Sequence, residues 1–203
     1  MPRPSDPPIG LVVEGPSEYH ALPQLLAKLS VRHTTPSSCD GFGAYAAPEA
    51  IARRALRHLR AQATKDIRRL LFVLDRESRP DCAPAFAETV REAVKKEAGP
   101  EWRGIDKPLV VVCCDRTIEN WIIADPTGIR SHKSMGKDLS RRVGSQADGK
   151  DAVQMLKSAS ARGFHYQKGW MAGELAARVR VNARQVQRRS RSLRKLLKEC
   201  GVL

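Results

Sequence analysis

Acidic residues directly follow three apolar segments of the sequence, and carboxylates in such positions could bind a metal ion. Glu14, Asp75 and Asp115 follow the segments IGLVV, RLLFVL and PLVVVCC. Hard divalent cations such as Mg2+ prefer carboxylate oxygens. Two such ions about 3.5–4 Å apart can stabilise the attacking and leaving oxygens of a phosphodiester displacement. The position of these acids therefore indicates metal-dependent phosphoryl-transfer chemistry.

Further acids follow shortly after those segments, and each has a structural alternative. They are Glu18, Glu77, Glu119 and Asp125. A single carboxylate near a helix N-terminus is more often a cap or a partner of the helix dipole, which contributes about 0.5–2 kcal/mol. Capping does not explain Glu14, which precedes Gly-Pro at the end of an apolar segment. The combination of acids favours a metal-binding site more strongly than any single acid does.

The elements that would position these acids alternate between strands and helices. The apolar segments predict strands over 9–13, 69–74 and 108–114, and residues 34–45 fit a loop or a poor strand. Helical periodicity predicts helices over 17–29, 48–62, 84–96 and 115–124. Near-continuous apolar strands separated by helices are typical of a parallel sheet covered on both faces. We therefore predict an α/β fold whose acids meet at the carboxyl ends of the strands.

Beyond residue 126 the strand patterns stop and the chain becomes basic. Residues 1–125 contain 18 Lys and Arg and 17 Asp and Glu, whereas residues 126–203 contain 18 and 5. Apolar residues at helical spacing predict helices over 149–159, 171–181 and 192–200. We therefore expect a catalytic core over 9–126 and a basic, mainly helical C-terminal extension over 127–203 that packs on it.

The net charge of +14 lies almost entirely in this extension and favours a polyanionic partner. Lys and Arg bind phosphates and release counterions, and nucleic acid is the commonest partner of this kind. A solubilising surface and an acidic protein partner are the alternatives. The residues that we expect to contact a nucleic-acid backbone are Arg178, Arg180, Arg184, Arg188, Arg189, Arg191 and Arg194.

The composition disfavours several other classes of protein. No apolar segment approaches the roughly 18 residues of a membrane span, and the N-terminus does not resemble a secretory signal, so we expect a cytoplasmic protein without a membrane partner. The five cysteines form no C-x-x-C pair and the histidines are dispersed, which disfavours disulfides and zinc. Without a G-x-x-x-x-G-K-[ST] motif, ATP hydrolysis by this chain is not expected.

The acidic motifs resemble those of a known group of proteins. VEGPSE (13–18) is similar to the EG-x-[ST]-E opening of TOPRIM-like proteins, and LDRE (74–77) to their D-x-D strand end. IENWIIAD (118–125) resembles the E-x-W-L-L-A-D helix of an uncharacterised TOPRIM-like family related to the nuclease domains of overcoming-lysogenisation-defect proteins. The resemblance extends from about residue 9 to about residue 199 and includes GKDA, YQK, LA and SRSL further along the chain.

This resemblance implies a TOPRIM fold, a small parallel sheet flanked by helices, with Mg2+ (or Mn2+) as cofactor. It implies that Glu14 is a metal ligand or general acid/base, that Asp75 is the principal metal ligand and that Glu77 is its partner. The resemblance assigns second-metal binding or orientation to Glu18, Glu119 and Asp125. Lys150 and Lys168 fall in the similar segments and are candidates for stabilising charge on a transferring phosphate. The second aspartate of D-x-D is replaced by Glu77, whose carboxylate reaches one methylene further.

The resemblance also implies an activity. TOPRIM relatives include topoisomerases, primases, small ribonuclease-maturation enzymes and nucleases, and several act in bacterial anti-phage defence beside an ATPase of the ABC or AAA type. We therefore expect a magnesium-dependent nuclease, or nuclease subunit, that cleaves DNA or RNA. The alternative is a non-catalytic nucleic-acid-binding or regulatory subunit of an ATPase-containing complex. An ATPase partner and a homo-oligomer are both compatible with this expectation.

Overall fold

The sheet predicted from the apolar segments is present and parallel throughout. A computed structural model describes residues 6–104 and 107–203. Its four strands have the order β2-β1-β3-β4, and all neighbours are parallel. The strands are β1 (Ile9–Val13), β2 (Ser37–Ser38), β3 (Arg69–Asp75) and β4 (Leu109–Cys114). The prediction of an α/β fold is confirmed, and the short β2 falls in the segment that fits a loop or a poor strand.

The described residues form ten α-helices. They are α1 (Pro16–Ala27), α2 (Pro48–Ala63), α3 (Ala83–Ala98), α4 (Glu119–Ile123), α5 (Pro126–Arg130), α6 (Ser140–Val143), α7 (Ala152–Ala159), α8 (Trp170–Ala176), α9 (Arg184–Arg189) and α10 (Arg191–Glu199). A 3-10 helix covers Gly99–Gly104, which follows α3. Among the described residues no helix is both long and apolar enough to cross a membrane.

Two helix predictions differ from the structure. Helix α4 begins at Glu119 instead of residue 115, because the chain turns first: Arg116 has φ 68° and the Thr117 N–H donates to the Asn120 side chain at 3.1 Å. Helix α8 ends at Ala176, five residues earlier than predicted, and α9 was not predicted at all. Helix α9 buries a single apolar side chain, Val186, which is too little periodicity to detect.

The two faces of the sheet pack against different parts of the chain. Alternate residues of a strand point to opposite faces. On one face, Leu11 and Val13 share a hydrophobic cluster with α1 and with apolar residues of the C-terminal extension. On the other face, Val12 and Phe72 pack with α2 and α3. The extension therefore completes the hydrophobic core that begins with β1 and α1.

Two close contacts fix the extension on the rest of the chain. At Gly173 in α8, a Cβ would lie 2.9 Å from the His20 carbonyl oxygen, so only glycine allows α8 to approach α1 this closely. Asp125, which is fully buried, accepts hydrogen bonds from the Arg180 guanidinium at 2.6 and 2.8 Å and from the N–H groups of Arg180 and Gly128. Although burial raises the pKa of Asp125, the hydrogen bonds from Arg180 and Gly128 hold it below the usual value.

We expect Arg180→Met to lower the free energy of unfolding by about 1–3 kcal/mol at pH 7, because the buried Asp125 carboxylate loses its charged donor. The exposed Arg178 lies two residues earlier, and Arg178→Met should change stability by no more than about 0.5 kcal/mol. Urea denaturation measures both. Since the pKa of Asp125 is lowered, its contribution is lost as the pH falls, and the Arg180→Met difference should shrink below about pH 4. Equal losses for both variants would contradict this role of the pair.

Candidate functional site

Four carboxyl groups converge at the carboxyl ends of β1 and β3. Glu14 follows β1, Glu18 lies in the first turn of α1, Asp75 ends β3 and Glu119 begins α4. Their exposed fractions are only 7%, 3%, 5% and 0%. Their charges act on one another, since Glu119 and Glu14 both raise the pKa of Glu18. We call these four residues the acid cluster.

Glu14 joins three segments at the centre of the sheet. Its Oε2 accepts the Asp75 N–H at 2.9 Å, and its Oε1 accepts the Phe42 N–H at 3.3 Å. These bonds connect the end of β1 to the end of β3 and to the loop after β2. The position of Glu14 is therefore set by backbone groups, which move less than side chains do.

Glu18 and Glu119 are held by the segments that begin the neighbouring helices. Glu18 Oε2 accepts the Gly15 N–H at 3.0 Å, so one of its oxygens has the capping role that the sequence left open. Glu119 Oε1 accepts the hydroxyls of Tyr166 at 2.8 Å and Ser17 at 3.1 Å. The structure thus brings Tyr166, from the C-terminal extension, into direct contact with Glu119.

Three oxygen atoms of the acid cluster are buried without a hydrogen-bond partner. They are Glu18 Oε1, Asp75 Oδ1 and Glu119 Oε2 when the carboxyl groups are ionised, whereas a proton between Glu18 and Asp75 lets these two groups hydrogen-bond to each other. Buried polar atoms are nearly always paired in native proteins, so such atoms point to a strained, catalytic or ion-binding site. In the described part of the chain, no group of three or more His, Cys, Asp or Glu side chains has an arrangement that could hold a metal ion.

Burial and mutual repulsion disfavour ionisation of the cluster. Burial, with the charges of Glu119 and Glu14, raises the pKa of Glu18 to about 8. Burial and the charges of Glu18, Glu119 and Glu14 raise the pKa of Asp75 well above its usual value. Burial also raises the pKa of Glu14, although the hydrogen bonds from Asp75 and Phe42 oppose it. Near neutral pH, binding of protons or of a cation would therefore stabilise the cluster.

Lys168 and Glu77 lie at the solvent side of the cluster. Lys168 Nζ is 3.9 Å from Glu77 Oε1. Burial alone would lower the pKa of Lys168. The charges of Glu119, Asp75 and Glu77 raise it by more than burial lowers it, so the ammonium group stays charged. Glu77 has φ 56°, a left-handed conformation that is rare for glutamate. Its backbone is held there by the N–H bond to the Arg116 carbonyl at 2.7 Å.

Arg79 connects two loops beside the site and was not singled out from the sequence. It is buried, and its guanidinium donates to the carbonyl oxygens of Arg76 and Gly43 at 3.1 Å and of Ala46 at 3.3 Å. It also stacks over the Phe86 ring at 4.5 Å. Arg79 thereby holds the loop after β2 against the loop after β3.

Asp125, Asp115 and Lys150 were also singled out from the sequence, and within the described residues they contact groups other than those of the acid cluster. Both carboxylate oxygens of Asp125 accept hydrogen bonds from Arg180, so the structure does not bring this proposed metal ligand into the cluster. Asp115 forms an ion pair with Arg76 at 2.7 Å. Lys150 is exposed, and its carbonyl accepts the Asn120 side chain at 3.0 Å.

The seven candidate arginines have different surroundings. Arg180 is engaged with Asp125, and Arg189 donates to the carbonyl oxygens of Gly144 at 3.0 Å and Ala124 at 3.2 Å. The remaining five are exposed: Arg178, Arg184, Arg188, Arg191 and Arg194. The hydrogen bonds and ion pairs of the described residues include no contact between these arginines and the acid cluster.

A family model described as "Domain of unknown function (DUF4276)" matches residues 13–199. The chain belongs to this family. Neither a curated protein nor a solved structure matches the chain. The DUF4276 domain begins at the residue before Glu14, so it includes the whole acid cluster together with Tyr166 and Lys168.

In a metal chelator, we expect Glu18→Gln to raise the thermal midpoint of the DUF4276 domain at pH 8. The amide keeps an acceptor for Gly15 but carries no charge among like charges. Each kcal/mol gained corresponds to about 2–4 °C. Because the pKa of Glu18 is raised from 4.5 to about 8, its stabilising contribution is present at low pH and lost as the pH rises through 8.

The gain of Glu18→Gln should therefore grow between pH 5 and pH 8. Glu49, which lies exposed in the first turn of α2, provides the matched control, and Glu49→Gln should leave the midpoint nearly unchanged. Thermal unfolding followed by circular dichroism measures both. A lower midpoint for Glu18→Gln than for the native chain at pH 8 would contradict repulsion within the cluster.

Proposed function

We propose that this protein is a Mg2+-dependent (or Mn2+-dependent) nuclease, or the nuclease subunit of a complex, that cleaves phosphodiester bonds in DNA or RNA. The observation that carries the proposal is the set of three buried, unpaired oxygens in Glu18, Asp75 and Glu119. They lie at the carboxyl ends of adjacent parallel strands, where open α/β sheets bind their ligands. Lys168 supplies a positive charge beside them.

The donor chemistry of the cluster fits a hard divalent cation. Glu18, Asp75 and Glu119 each offer one carboxylate oxygen that has no hydrogen-bond donor, and carboxylate oxygens are the ligands that such cations prefer. Bound there, the cation would supply Lewis-acid activation of a phosphodiester. It would also offset the repulsion that raises the pKa of Glu18 and Asp75.

The residues of the chain itself would bind and orient the substrate and move a proton. Glu14 is held through Oε2 by the Asp75 N–H, whereas Oε1 accepts only a long bond of 3.3 Å from Phe42. We assign proton transfer to Glu14 Oε1, since burial raises the pKa of this carboxyl group. The Lys168 ammonium would bind a phosphate oxygen, with Glu77 orienting it.

The basic extension would hold the polyanion outside the cluster. Its exposed arginines would contact phosphates, as would the exposed Lys150. The TOPRIM-like resemblance of the motifs at Glu14, Asp75 and Glu119 supports a cytoplasmic role in bacterial anti-phage defence. The same resemblance makes an ABC- or AAA-type ATPase the proposed protein partner.

A second candidate function is a non-catalytic subunit that binds nucleic acid or an ATPase. The hydrogen bonds of the cluster favour it, because Glu14 and Glu119 each join separate segments of the chain and Glu18 caps the start of α1. On this view the cluster is a structural centre and Glu77 only pairs with Lys168. Co-purification with an ATPase, without any cleavage, would favour this candidate.

We expect the purified protein to cleave DNA or RNA oligonucleotides in Mg2+ or Mn2+ and not in chelator. Glu14→Gln and Asp75→Asn should each lower the rate by about 100-fold or more, because one loses the proton-transfer group and the other loses a cation ligand. The Glu49→Gln variant should cleave at the native rate. Gel analysis of end-labelled substrates measures all of these rates. Cleavage undiminished by both cluster substitutions would contradict the proposed site.

A further inference from the structure

Exposed aromatic side chains lie on the segments that build the acid cluster. Tyr19, Tyr45, Phe164 and Trp170 have exposed fractions of 36%, 80%, 38% and 54%. Among the described residues, the only other large exposed hydrophobic side chain is Leu203. Exposed aromatic side chains on segments that flank a site can take part in ligand recognition, because their rings offer apolar faces for stacking.

Two of these aromatic residues emerge where α1 and α8 begin. Tyr19 follows Glu18 in the first turn of α1. Trp170 starts α8 directly after Gly169, whose N–H donates to Ser17 Oγ at 3.1 Å. The Ser17 hydroxyl in turn donates to Glu119 Oε1. Gly169, the residue before Trp170, is therefore linked to Glu119 through two hydrogen bonds, and Trp170 lies two residues after Lys168.

The other two aromatic residues lie on segments that are fixed to the cluster as well. Phe164 precedes Tyr166 by two residues, and the Tyr166 hydroxyl bonds to Glu119. Tyr45 lies in the loop after β2, where the Phe42 N–H bonds to Glu14 and the Ala46 carbonyl accepts Arg79. Because both segments are held by hydrogen bonds, the rings extend from an ordered support.

We propose that the substrate is single-stranded nucleic acid, whose unpaired bases stack on Trp170 and Tyr45 while its phosphates face Lys168 and the acid cluster. Base stacking on aromatic side chains tolerates every sequence, because each base has an aromatic face. The bases of a duplex are already stacked on one another and cannot use these rings without unpairing. The inference rests on the proposed nuclease function and specifies the substrate of that same site.

The charge beside the aromatic residues favours nucleic acid over a protein partner. Lys168 keeps its positive charge among the carboxyl groups, and the extension that carries Trp170 contributes 18 basic residues against 5 acidic ones. Stacking rings combined with positive charge are what single-stranded nucleic acids require of a binding surface. Unpaired bases in DNA and in RNA share this chemistry.

Fluorescence anisotropy with labelled 12-nucleotide probes tests the inference on the full chain, with Ca2+ in place of Mg2+ to permit binding. The probes are single-stranded DNA, single-stranded RNA, the matching duplexes, and the DNA strand with abasic sites. We expect both single strands to bind more tightly than the duplexes. We expect the abasic strand to bind more weakly than the intact strand, since it keeps the phosphates and loses the bases.

Substitutions at the rings provide the second arm of the experiment. We expect Trp170→Leu and Tyr45→Leu each to weaken single-strand binding by about 5–150-fold and to leave duplex binding unchanged. Trp170→Phe should restore most of the loss. Leu203→Ala is the control, because the C-terminal residues lie near Arg68 at the opposite end of β3 and should not affect binding. Thermal unfolding of each variant verifies that it is folded.

The outcomes separate this inference from the nuclease proposal. Equal binding of intact and abasic strands, by a protein whose cleavage depends on Asp75, would overturn the stacking role and leave the nuclease proposal intact. Unchanged binding by both leucine variants would overturn it as well, because the rings would then not hold the bases. Absence of binding to every probe, together with absence of cleavage, would overturn both proposals.

Discussion

Four carboxyl groups that are almost fully buried at one end of the sheet repel one another, and the surrounding structure offsets only part of that repulsion. Backbone N–H groups of Gly15, Phe42 and Asp75 donate to the cluster, as do the hydroxyls of Ser17 and Tyr166. Three carboxylate oxygens still have no donor. Burial of charge in this form costs stability unless a partner compensates it. In the proposed function that partner is a divalent cation, and the cluster is therefore the centre of the proposal.

The fold places this cluster through both halves of the chain. Strands β1 and β3 are adjacent and parallel, so their carboxyl ends deliver Glu14 and Asp75 to the same edge of the sheet. Helix α1 begins immediately beyond β1 and delivers Glu18. The C-terminal extension returns to this edge through the segment from Tyr166 to Gly169, and α8 is seated on α1. The site is therefore not confined to the N-terminal part of the chain, because the basic C-terminal extension provides residues that contact the acid cluster and the start of α1.

Local sequence patterns were sufficient to predict the three long strands of the sheet and some of the acids in the cluster. The strands are short apolar runs, and Glu14, Asp75 and Glu119 stand beside elements whose type can be inferred from neighbouring residues. Contacts between distant segments left no such pattern. The bond from Tyr166 to Glu119 joins residues 47 positions apart, and the pair of Asp125 and Arg180 joins residues 55 positions apart. Single-sequence periodicity does not reveal which of two acids at the ends of a short helical segment turns toward the sheet edge, so Asp125 and Glu119 could not be distinguished.

The central claim is that the acid cluster binds a divalent cation through its unpaired oxygens. A crystal structure of the protein grown with Mn2+, with anomalous scattering recorded at the manganese edge, tests this most directly. The account predicts an anomalous peak at about 2.0–2.6 Å from Asp75 Oδ1 and from an oxygen of Glu18 or Glu119. A map without a peak among these oxygens, from crystals of a protein that cleaves nucleic acid in the same Mn2+ solution, would contradict it.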